Sequence, residues 1–440
     1  MNEHKDTATE HIQKIPAPSK VFIPLSQHIG APCTPTVAIG DTVDKGQIIG
    51  VVERGLGCPV HASISGKVLA IEDVLMPNGR KVRRIVIEND GEDRLHKDIG
   101  TQGIAPEEIT AEACIEAVRL AGLSGMGGAT FPTYAKIQSA LGKVSHIIIN
   151  CAECEPFITA DHRLMLEHTR TVIDGLRILL RVFDLPRGII AVEDNKMDAV
   201  ERLRAEAGDD ESIDVRVMKT KYPQGDERQL IYALTRQELP AGKLPADVGC
   251  VIFNVETCYN LCRAVLEGMP LIERVVTVAG DCISAPKNIL APLGTPMSEL
   301  IEFCGGLRQK PSKIITGGPM MGVAQWDVTA PITKGTNAIL AFSEKLTKPT
   351  TTPPACLHCG KCVSVCPMHL MPLYFAQCAA QNDLATCKTF HLMSCVECGS
   401  CAYVCPAGVP IVQYVRMTKA KINEQAARER EAAEAAKKDG

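Results

Sequence analysis

The sequence lacks the features that mark several common classes of protein. It contains no run of 18 apolar residues, so it predicts no membrane-spanning helix. Its first ten residues are polar and carry charges of both signs, unlike a secretory signal peptide, so we expect a chain that is not exported. Lysine and arginine number 47 against 51 aspartate and glutamate, a net charge of -4, so no overall basic field is present to hold nucleic acid.

The sequence is rich, by contrast, in cysteine. Its 440 residues are 45% hydrophobic and 22% charged, which predicts about three soluble globular domains, and 20 of them are cysteine. A short secreted domain would use so many cysteines for disulfides. A long chain without an export signal fits reduced cysteines that serve metal or redox chemistry.

Ten of the cysteines form a C-terminal module, which a threonine- and proline-rich linker at residues 348–354 separates from the rest. The spacing Cys-x2-Cys-x2-Cys-x3-Cys-Pro occurs twice, beginning at Cys356 and at Cys395. Bacterial ferredoxins with two 4Fe-4S clusters use this spacing, and the fourth cysteine of each run ligates the other cluster. The predicted ligand sets are Cys356, Cys359, Cys362 and Cys405 for one cluster, and Cys366, Cys395, Cys398 and Cys401 for the other.

A zinc ribbon is the alternative for this module, but it needs only four ligands and usually a wider gap between its cysteine pairs. Cys378 and Cys387 lie between the two runs without motif spacing, so we expect them to be buried thiols. The segment that contains them, around residues 372–389, predicts helices.

Residues 36 to 88 are short apolar runs separated by turns, which predicts a small all-β unit. The runs cover residues 36–39, 47–52, 67–71 and 82–88. The segments Gly40–Gln47 and Val60–Val68 resemble the barrel-sandwich hammerhead of biotinyl and lipoyl carriers. Those carriers need a lysine at the hairpin tip, and this chain has residues 54–58, Arg-Gly-Leu-Gly-Cys, so the resemblance is to the scaffold. Cys58 and His61 form a metal-ligand pair in the alternative interpretation, and we expect a structural role.

From residue 110 to 270 helical and strand patterns alternate, which predicts a mainly parallel sheet covered on both faces. The longest helical pattern is an amphipathic stretch from Arg163 to Phe183. In such sheets ligands bind beyond the carboxyl ends of the strands. Polar residues follow four predicted strands there, at residues 150–155, 193, 219–227 and 254–257.

A glycine-rich loop, residues 124–133, lies before Lys136 in the same region. Closely spaced glycines let backbone amides approach a phosphate, and a helix that opens near Pro132 would add its positive end. A tight turn is the alternative for this loop taken alone. The carboxylates of Glu153 and Glu155, beside Asn150, suit hydrogen bonds to ribose hydroxyls and a nicotinamide amide.

Four segments together resemble the flavin-binding subunit of respiratory complex I: residues 125–133, 150–156, 222–227 and 253–257. With the N-terminal hammerhead and the C-terminal cysteine module, the order of motifs is similar to the RnfC family of the Rnf electron-transport complexes, from about residue 20 to 416. Related complex I subunits carry one C-terminal cluster, and related cobalamin reductases usually lack the hammerhead. Both features favour the RnfC family.

This resemblance implies a multidomain α/β protein. The implied domains are a barrel-sandwich hammerhead at 20–95, a Rossmann-like α/β domain for FMN and NAD(H) at 110–270, a soluble-ligand-binding β-grasp domain at 271–345, a helical two-cluster ferredoxin domain at 350–416, and a charged helical tail at 417–440.

The resemblance also implies FMN that is bound non-covalently. Gly125, Gly127, Gly128 and Lys136 would line the flavin and its phosphate, and Asn150, Gly225, Asp226 and Asn254 would bind the flavin. Phe131 would stack on the adenine of the nucleotide, and Glu153 would join the polar set. Glu155 and Glu227 would act as the catalytic residues that hold the nucleotide.

Two positions depart from the related patterns. Ala152 stands where complex I subunits have an aspartate, and Cys151 where RnfC sequences commonly have an alanine. Cys151 and Cys154 form a Cys-x-x-Cys pair. The pair is either a redox-active disulfide or two small side chains that fill space.

The implied function is electron transfer between iron-sulfur clusters and NAD(H). A nicotinamide exchanges two electrons as a hydride and a cluster takes one at a time, so a flavin must lie between them. The resemblance implies a peripheral subunit on the cytoplasmic face of the inner membrane. Its partners would be the Rnf membrane subunits and the iron-sulfur subunit that accepts electrons from ferredoxin. The alternatives are a soluble reductase of the cobalamin type and an iron-sulfur conduit that has lost its nucleotide.

Overall fold

The computed structural model describes residues 3–76, 79, 81–347 and 355–438. The chain divides into a larger compact unit, Met1–Leu239 with Lys243–Thr347, and a smaller one, Lys348–Gly440 with Pro240–Gly242. The predicted linker at 348–354 lies outside the described residues. Within the described ranges, no helix combines the length and the apolar character that crossing a membrane requires.

The N-terminal part of the larger unit is all-β, as the short apolar runs predicted. Its strands are β1 (Ile12–Lys14), β2 (Lys20–Pro24), β3 (Thr34–Pro35), β4 (Thr42–Val43), β5 (Ile48–Val51), β6 (Val60–His61), β7 (Gly66–Leu75) and β8 (Lys81–Asn89). Two sheets form, in the orders β2-β8-β7-β4 and β3-β5-β6. Alternate residues such as Val21, Ile23, Ile85 and Ile87 fill one apolar core between them.

The strand predicted at residues 36–39 is wrong, because this segment turns instead. The Ala38 amide donates a hydrogen bond to the Asp41 carboxylate at 2.8 Å, and Ile39 is 64% exposed. The side-chain acceptor of Asp41 offers the backbone a turn in place of a ladder.

The middle part alternates helices and strands. Its elements are α1 (Ala111–Leu120), α2 (Thr133–Ala140), β9 (His146–Cys151), α3 (Ala160–Glu167), α4 (Thr169–Phe183), β10 (Gly188–Glu193), α5 (Met197–Ala207), β11 (Ile213–Met218), α6 (Glu227–Thr235), β12 (Cys250–Asn254) and α7 (Val255–Glu267). The four strands pair in parallel in the order β11-β10-β9-β12. Ile147 and Ile149 join one core, and Ile148 joins another with Leu230 of α6. Both faces of the sheet are therefore covered, as predicted.

The amphipathic stretch at residues 163–183 is two helices instead of one. Helix α3 ends at Glu167, and His168 leaves the helical conformation with φ -128°. The Thr169 hydroxyl donates to the Met165 carbonyl at 2.6 Å and so takes the place of a backbone partner at the junction. The apolar period continues across this junction, so the sequence pattern does not reveal it.

A third sheet completes the larger unit. It is formed with β13 (Glu273–Ala279), β14 (Lys287–Pro292), β15 (Lys313–Thr316), β16 (Val323–Gln325) and β17 (Ala338–Phe342), and α8 (Met297–Phe303) and α9 (Glu344–Thr347) accompany it. The strand order is β1-β14-β13-β17-β15-β16. Strand β1, from the start of the chain, pairs in parallel with β14 at its edge. The sequence does not predict this pairing, because a strand of three residues carries no alternation.

A buried ion pair joins this sheet to the α/β part. Arg274 of β13 and Glu256 of α7 are 2.5 Å apart, and their side chains are only 1% and 3% exposed. The second carboxylate oxygen of Glu256 accepts from the Val275 amide at 2.9 Å, and Arg274 also donates to the Lys334 carbonyl. Each charge has its hydrogen-bond partners, which a buried pair requires.

The smaller unit is helical. Its helices are α10 (Lys361–Ser364), α11 (Pro372–Ala380), α12 (Leu384–Thr389), α13 (Ser400–Tyr403) and α14 (Ile411–Lys438), and short 3-10 helices occur at Pro106–Glu108, Pro245–Val248 and Leu392–Ser394 of the whole chain. The helices predicted around residues 372–389 are therefore present. The predicted separate tail at 417–440 is not, since α14 begins at Ile411 and Val415 and Ile422 are buried in one core with Phe375. Their helical spacing extends the apolar face past residue 417.

We expect Arg274→Met to lower the free energy of unfolding by about 3 to 5 kcal/mol, because Glu256 would stay buried without its partner. Urea unfolding of the full chain measures the change. The control is Arg119→Met, since the pair of Arg119 with Glu116 is 44% and 52% exposed, and we expect a loss of about 1 kcal/mol or less there. Equal losses in the two variants would contradict the structural role of the buried pair.

Candidate functional site

The carboxyl edge of the parallel sheet brings the predicted polar residues together. Asn150 of β9 and Asn254 of β12 are direct partners in the strand register, so their side chains leave neighbouring strands at the same level. The Asn150 amide donates to the Gly225 carbonyl at 2.9 Å, and the Asn254 amide donates to the Asp161 carboxyl at 2.8 Å. The strand ends thus hold the surrounding loops with one set of side chains.

The glycine loop closes on itself before α2. Ser124 and Pro132 form an isolated antiparallel bridge, and the Gly125 amide donates to the carbonyl of the half-buried Phe131 at 2.8 Å. Helix α2 begins at Thr133 without a side-chain cap, at the position predicted from Pro132. Its first turn can therefore offer backbone amides to an anion.

Helix α7 supports this loop from below. The Met126 amide donates to the Thr257 hydroxyl at 2.9 Å. Asn254 caps α7, because its side-chain oxygen accepts from the amides of Glu256 and Thr257 at 3.0 and 3.3 Å. The loop and the sheet edge are thus parts of one hydrogen-bonded arrangement.

Glycine is required by geometry at two points of this edge. Gly128 has φ +111°, and a Cβ atom there would meet nothing within 4 Å, so the loop is open at its tip. At Gly225 a Cβ atom would overlap the Ala152 carbonyl oxygen, so no other residue fits. Gly127 packs beside Asn254, where a Cβ atom would come within 3.4 Å of the asparagine Cβ.

The groups around the loop fit the phosphate of a flavin nucleotide. The hydroxyl oxygens of Ser124 and Thr133 are buried and have no hydrogen-bond partner among the residues that the structure describes. Unpaired buried hydroxyls cost free energy, and a bound polar group would satisfy them. The open glycine tip, the α2 terminus and these hydroxyls together form a donor set of the kind that phosphates require.

The carboxylate of Glu155 faces the β15–β16 hairpin. It accepts hydrogen bonds from the amides of Met320 and Met321 at 3.1 and 2.8 Å, and a Cβ atom on Gly318 would overlap it. Burial raises the pKa of Glu155 to about 7. No sequence pattern indicates this hairpin partner, because Glu155 and Met320 are far apart in the chain.

Glu153 and Asp161 form a buried acidic pair beside this loop. Glu153 accepts from the Asp161 amide at 2.9 Å. Burial raises the pKa of Asp161 to about 8, and the charges of Glu153 and Glu256 act in the same direction. Asp161 is not among the predicted site residues, although its place at the first turn after the Asn150–Pro156 motif is a usable signal.

Lys136 and Glu227, which the resemblance assigned to different ligands, contact each other. The Lys136 ammonium donates to Glu227 at 2.9 Å and to the Ile252 carbonyl at 2.8 Å. Their side chains are 30% and 44% exposed, so both remain accessible to a ligand. Asp226 caps α6 by accepting from the amides of Arg228 and Gln229.

Cys151 and Cys154 are both free thiols. Burial raises the pKa of Cys154 to about 12 and that of Cys151 well above its ordinary value. Since the thiolate is the reactive form, these values favour the interpretation as small space-filling side chains over a redox pair.

The cysteines of the smaller unit line two separate hollows. Cys356, Cys359, Cys362 and Cys405 surround the first, together with apolar residues such as Ala376 and Val409. Cys366, Cys395, Cys398 and Cys401 surround the second, together with Phe375 and Val415. The structure therefore groups the cysteines in the same crossed sets that their spacing predicted.

The two runs repeat one backbone conformation around these hollows. His358 and Glu397 have φ +52° and +58°, and the glycines two residues later have φ +73° and +82°. The amides of His358 and Glu397 each donate to the sulfur of the cysteine two residues before, at 3.4 Å. Among the described residues, no three His, Cys, Asp or Glu side chains converge on the position of a single metal ion. Thiolates that receive backbone amides around an apolar hollow fit an iron-sulfur cluster.

Four family models match the chain, and each covers one of these structural parts. They are the RnfC barrel sandwich hybrid domain at residues 1–92, the Nuo51 FMN-binding domain at 118–263, the SLBB domain at 275–324 and the 4Fe-4S dicluster domain at 355–409.

Whole-length relatives also match, and each is the RnfC component of a larger complex. The component of the Na+-translocating ferredoxin:NAD+ oxidoreductase complex of Acetobacterium woodii is 45% identical, over 92% of this chain and 91% of the relative. That of the proton-translocating complex of Clostridium ljungdahlii is 44% identical, over 98% and 93%. That of the ion-translocating oxidoreductase complex of Rhodobacter capsulatus is 40% identical, over 97% and 82%.

A pH dependence follows from the burial of Glu155. Because its folded pKa is about 7 against an ordinary 4.5, protonation stabilises the fold below pH 4.5, and this stabilisation is lost as the pH rises through 7. We expect Glu155→Gln to remove this loss, so that stability between pH 5 and 8 falls less than in the wild type, by up to about 3 kcal/mol. Urea unfolding at a series of pH values measures it.

The control for this prediction is Glu116→Gln. The Arg119 guanidinium holds the pKa of Glu116 below its ordinary value, so this variant should leave the slope between pH 5 and 8 unchanged. Identical pH profiles for the wild type and Glu155→Gln would contradict the raised pKa.

Proposed function

Since this chain belongs to the RnfC family of ion-translocating ferredoxin:NAD+ oxidoreductase complexes, we propose that it passes electrons between two 4Fe-4S clusters and NAD(H) through FMN. One observation carries the proposal: a single chain holds a phosphate-binding glycine loop at a parallel sheet edge and two crossed sets of four cysteines. Hydride exchange needs the first feature, and one-electron transfer needs the second.

The proposed domains keep the limits 20–95, 110–270, 271–345 and 350–416, followed by residues 417–440. The two small sheets support a barrel-sandwich hammerhead, and the parallel sheet supports a Rossmann-like flavin domain. The mixed sheet with α8 supports a β-grasp domain, and the smaller helical unit supports a two-cluster ferredoxin domain.

FMN supplies, when bound, the conversion between a two-electron hydride and single electrons. In the proposal the chain holds its phosphate with the amides of Gly125, Gly127 and Gly128, the first turn of α2 and the ammonium of Lys136. Asn150, Gly225, Asp226 and Asn254 hold the flavin from the strand ends. The open tip at Gly128 supports this assignment, because a phosphate can reach the backbone there.

The nucleotide is assigned to the carboxylates and the aromatic ring at the same edge. Glu155 and Glu227 hold NAD(H), Glu153 supports the loop between them, and Phe131 stacks on the adenine. The remaining exposure of Lys136 and Glu227 supports the assignment, because a ligand can contact either group without unfolding the loop.

The two crossed cysteine sets hold the clusters as thiolates. Hydrogen bonds from backbone amides to cluster sulfurs are one of the means by which a protein sets cluster potentials. The amides of His358 and Glu397 already point at cysteine sulfurs, and the amide of Leu370 donates to Cys366 at 3.3 Å.

The partners follow from the relatives, which are named as subunits of oxidoreductase complexes. The chain therefore works with the other Rnf subunits, both the membrane subunits and the iron-sulfur subunit that accepts electrons from ferredoxin. We propose peripheral attachment at the cytoplasmic face of the inner membrane, because an ion-translocating complex acts at a membrane and NAD(H) is a cytoplasmic substrate. Nucleic acid is not a proposed partner, given the net charge of -4.

The visible spectrum of the purified chain tests the function directly. Flavin and iron-sulfur absorption that NADH bleaches would support the proposal. A chain with iron-sulfur absorption and no flavin would be an iron-sulfur conduit, and the proposal would then be wrong.

We expect Cys359→Ala to remove one cluster and to stop electron transfer to the iron-sulfur acceptor, while NADH oxidation by a soluble dye continues. The dye takes electrons from the flavin and does not need the clusters. Iron content and the two activities are measured in the full chain, with Cys378→Ala as the control because Cys378 lies outside the motif. Loss of dye reduction with FMN still bound would count against two separable modules.

We expect Glu155→Ala to raise the Michaelis constant for NADH about tenfold or more, with FMN content unchanged, because a charge-assisted hydrogen bond contributes about 1.5 to 3 kcal/mol. Steady-state dye reduction and the flavin absorbance per chain are the measurements. The control is Glu201→Ala on the exposed face of α5. An unchanged Michaelis constant for NADH would remove Glu155 from the nucleotide site.

A further inference from the structure

A lysine from the beginning of the chain reaches into the candidate site. The Lys5 ammonium donates to the carbonyl oxygens of Glu153, Glu155 and Ile158 at 2.8, 2.9 and 2.6 Å. An ammonium has three donors and no acceptor, so these three carbonyls use all of its hydrogen-bonding capacity. All three belong to the loop that follows β9.

The position is buried and electrostatically matched. The Lys5 side chain is 15% exposed, and its nearest carboxylate oxygen, on Glu153, is 3.9 Å away. Burial lowers the pKa of Lys5, and the negative charge of Glu153 opposes this shift. The carbonyl dipoles and the carboxylate replace the water that the ammonium has lost.

The segment around Lys5 is fixed to the same loop on both sides. The Phe157 amide donates to the Glu3 carbonyl at 2.9 Å, and the His4 ring stacks on the Phe157 ring at 4.7 Å. The hydroxyls of Thr7 and Thr159 are 2.6 Å apart. These contacts set the position of Lys5 before any ligand binds.

The loop needs such support because its own conformation is unfavourable. Phe157 has φ +69°, which a bulky side chain rarely adopts. Three carbonyl dipoles that converge on one point repel each other unless a cation lies between them. The ammonium of Lys5 is the group that meets this requirement.

We propose that Lys5 is a positioning residue of the nucleotide site: it holds the Glu153–Ile158 loop in the conformation that presents Glu155 to NAD(H). The inference rests on the proposed function. Lys5 fixes the Glu155 backbone, whereas Met320 and Met321 fix the Glu155 carboxylate. Loss of Lys5 therefore moves the residue relative to its own side-chain partners.

The test is Lys5→Met in the full chain, which keeps the length of the side chain and removes the ammonium. We expect the Michaelis constant for NADH to rise about tenfold, with kcat for dye reduction and the FMN content within about twofold of wild type. Lys5→Arg keeps the charge but cannot direct three donors into so compact a pocket, so it should give a smaller rise. The control is Lys20→Met, because Lys20 lies on β2 with its side chain 44% exposed, and we expect no change there.

Hydrogen exchange of the amides of residues 153–158 is the second measurement, and it does not require activity. We expect exchange at least about tenfold faster in Lys5→Met, while the amides of β9 stay protected. Faster exchange with an unchanged Michaelis constant would overturn the positioning role, and so would unchanged exchange. If Lys5→Met does not fold, the same two measurements on Lys5→Arg decide the matter.

The two proposals can fail separately. A wild-type chain that neither binds FMN nor oxidises NADH would remove the proposed function and the nucleotide part of the inference with it. The exchange measurement would still decide whether Lys5 holds the loop.

Discussion

The parallel register of β9 and β12 is the constraint on which the candidate site depends. It places Asn150 and Asn254 side by side at the carboxyl edge, and each asparagine then fixes a different loop. Asn254 caps α7, whose Thr257 holds the glycine loop at Met126. Asn150 holds Gly225, where the backbone passes so close to Ala152 that only glycine fits. A change of register by one residue would turn these side chains to opposite faces of the sheet.

The loops at this edge are held largely from outside the α/β part. Arg274 of the third sheet pairs with Glu256 beside the glycine loop, the β15–β16 hairpin binds Glu155, and the chain start contributes Lys5. A loop that must remain open to a ligand cannot satisfy its backbone with its own residues, so neighbouring elements supply the partners. This explains why the N-terminal segment and the third sheet pack into one compact unit with the α/β part.

The parts of this site that the sequence predicted are those with a local pattern. The cysteine spacing is written within a few residues, and the geometry of the two hollows follows from it. The strand ends and the start of α2 follow from apolar period and from Pro132. Lys5, Met320 and β1 leave no such pattern, because their partners lie roughly 150 to 280 residues away in the sequence. The break between α3 and α4 escapes prediction for a different reason, since one threonine hydroxyl decides it inside a continuous apolar period.

The two cysteine sets share a backbone conformation but differ in solvent contact. Cys356 and Cys359 of the first set are exposed, whereas Cys398 and Cys401 of the second are buried. An electron added at four thiolates increases the negative charge, and water stabilises that charge better than an apolar wall does. Lys419 lies near the second set, but its ammonium is paired with Glu397 at 2.8 Å, so it offsets little of the burial. In the proposed function, solvent contact is therefore the difference that separates the two potentials, and it favours the electron on the first set.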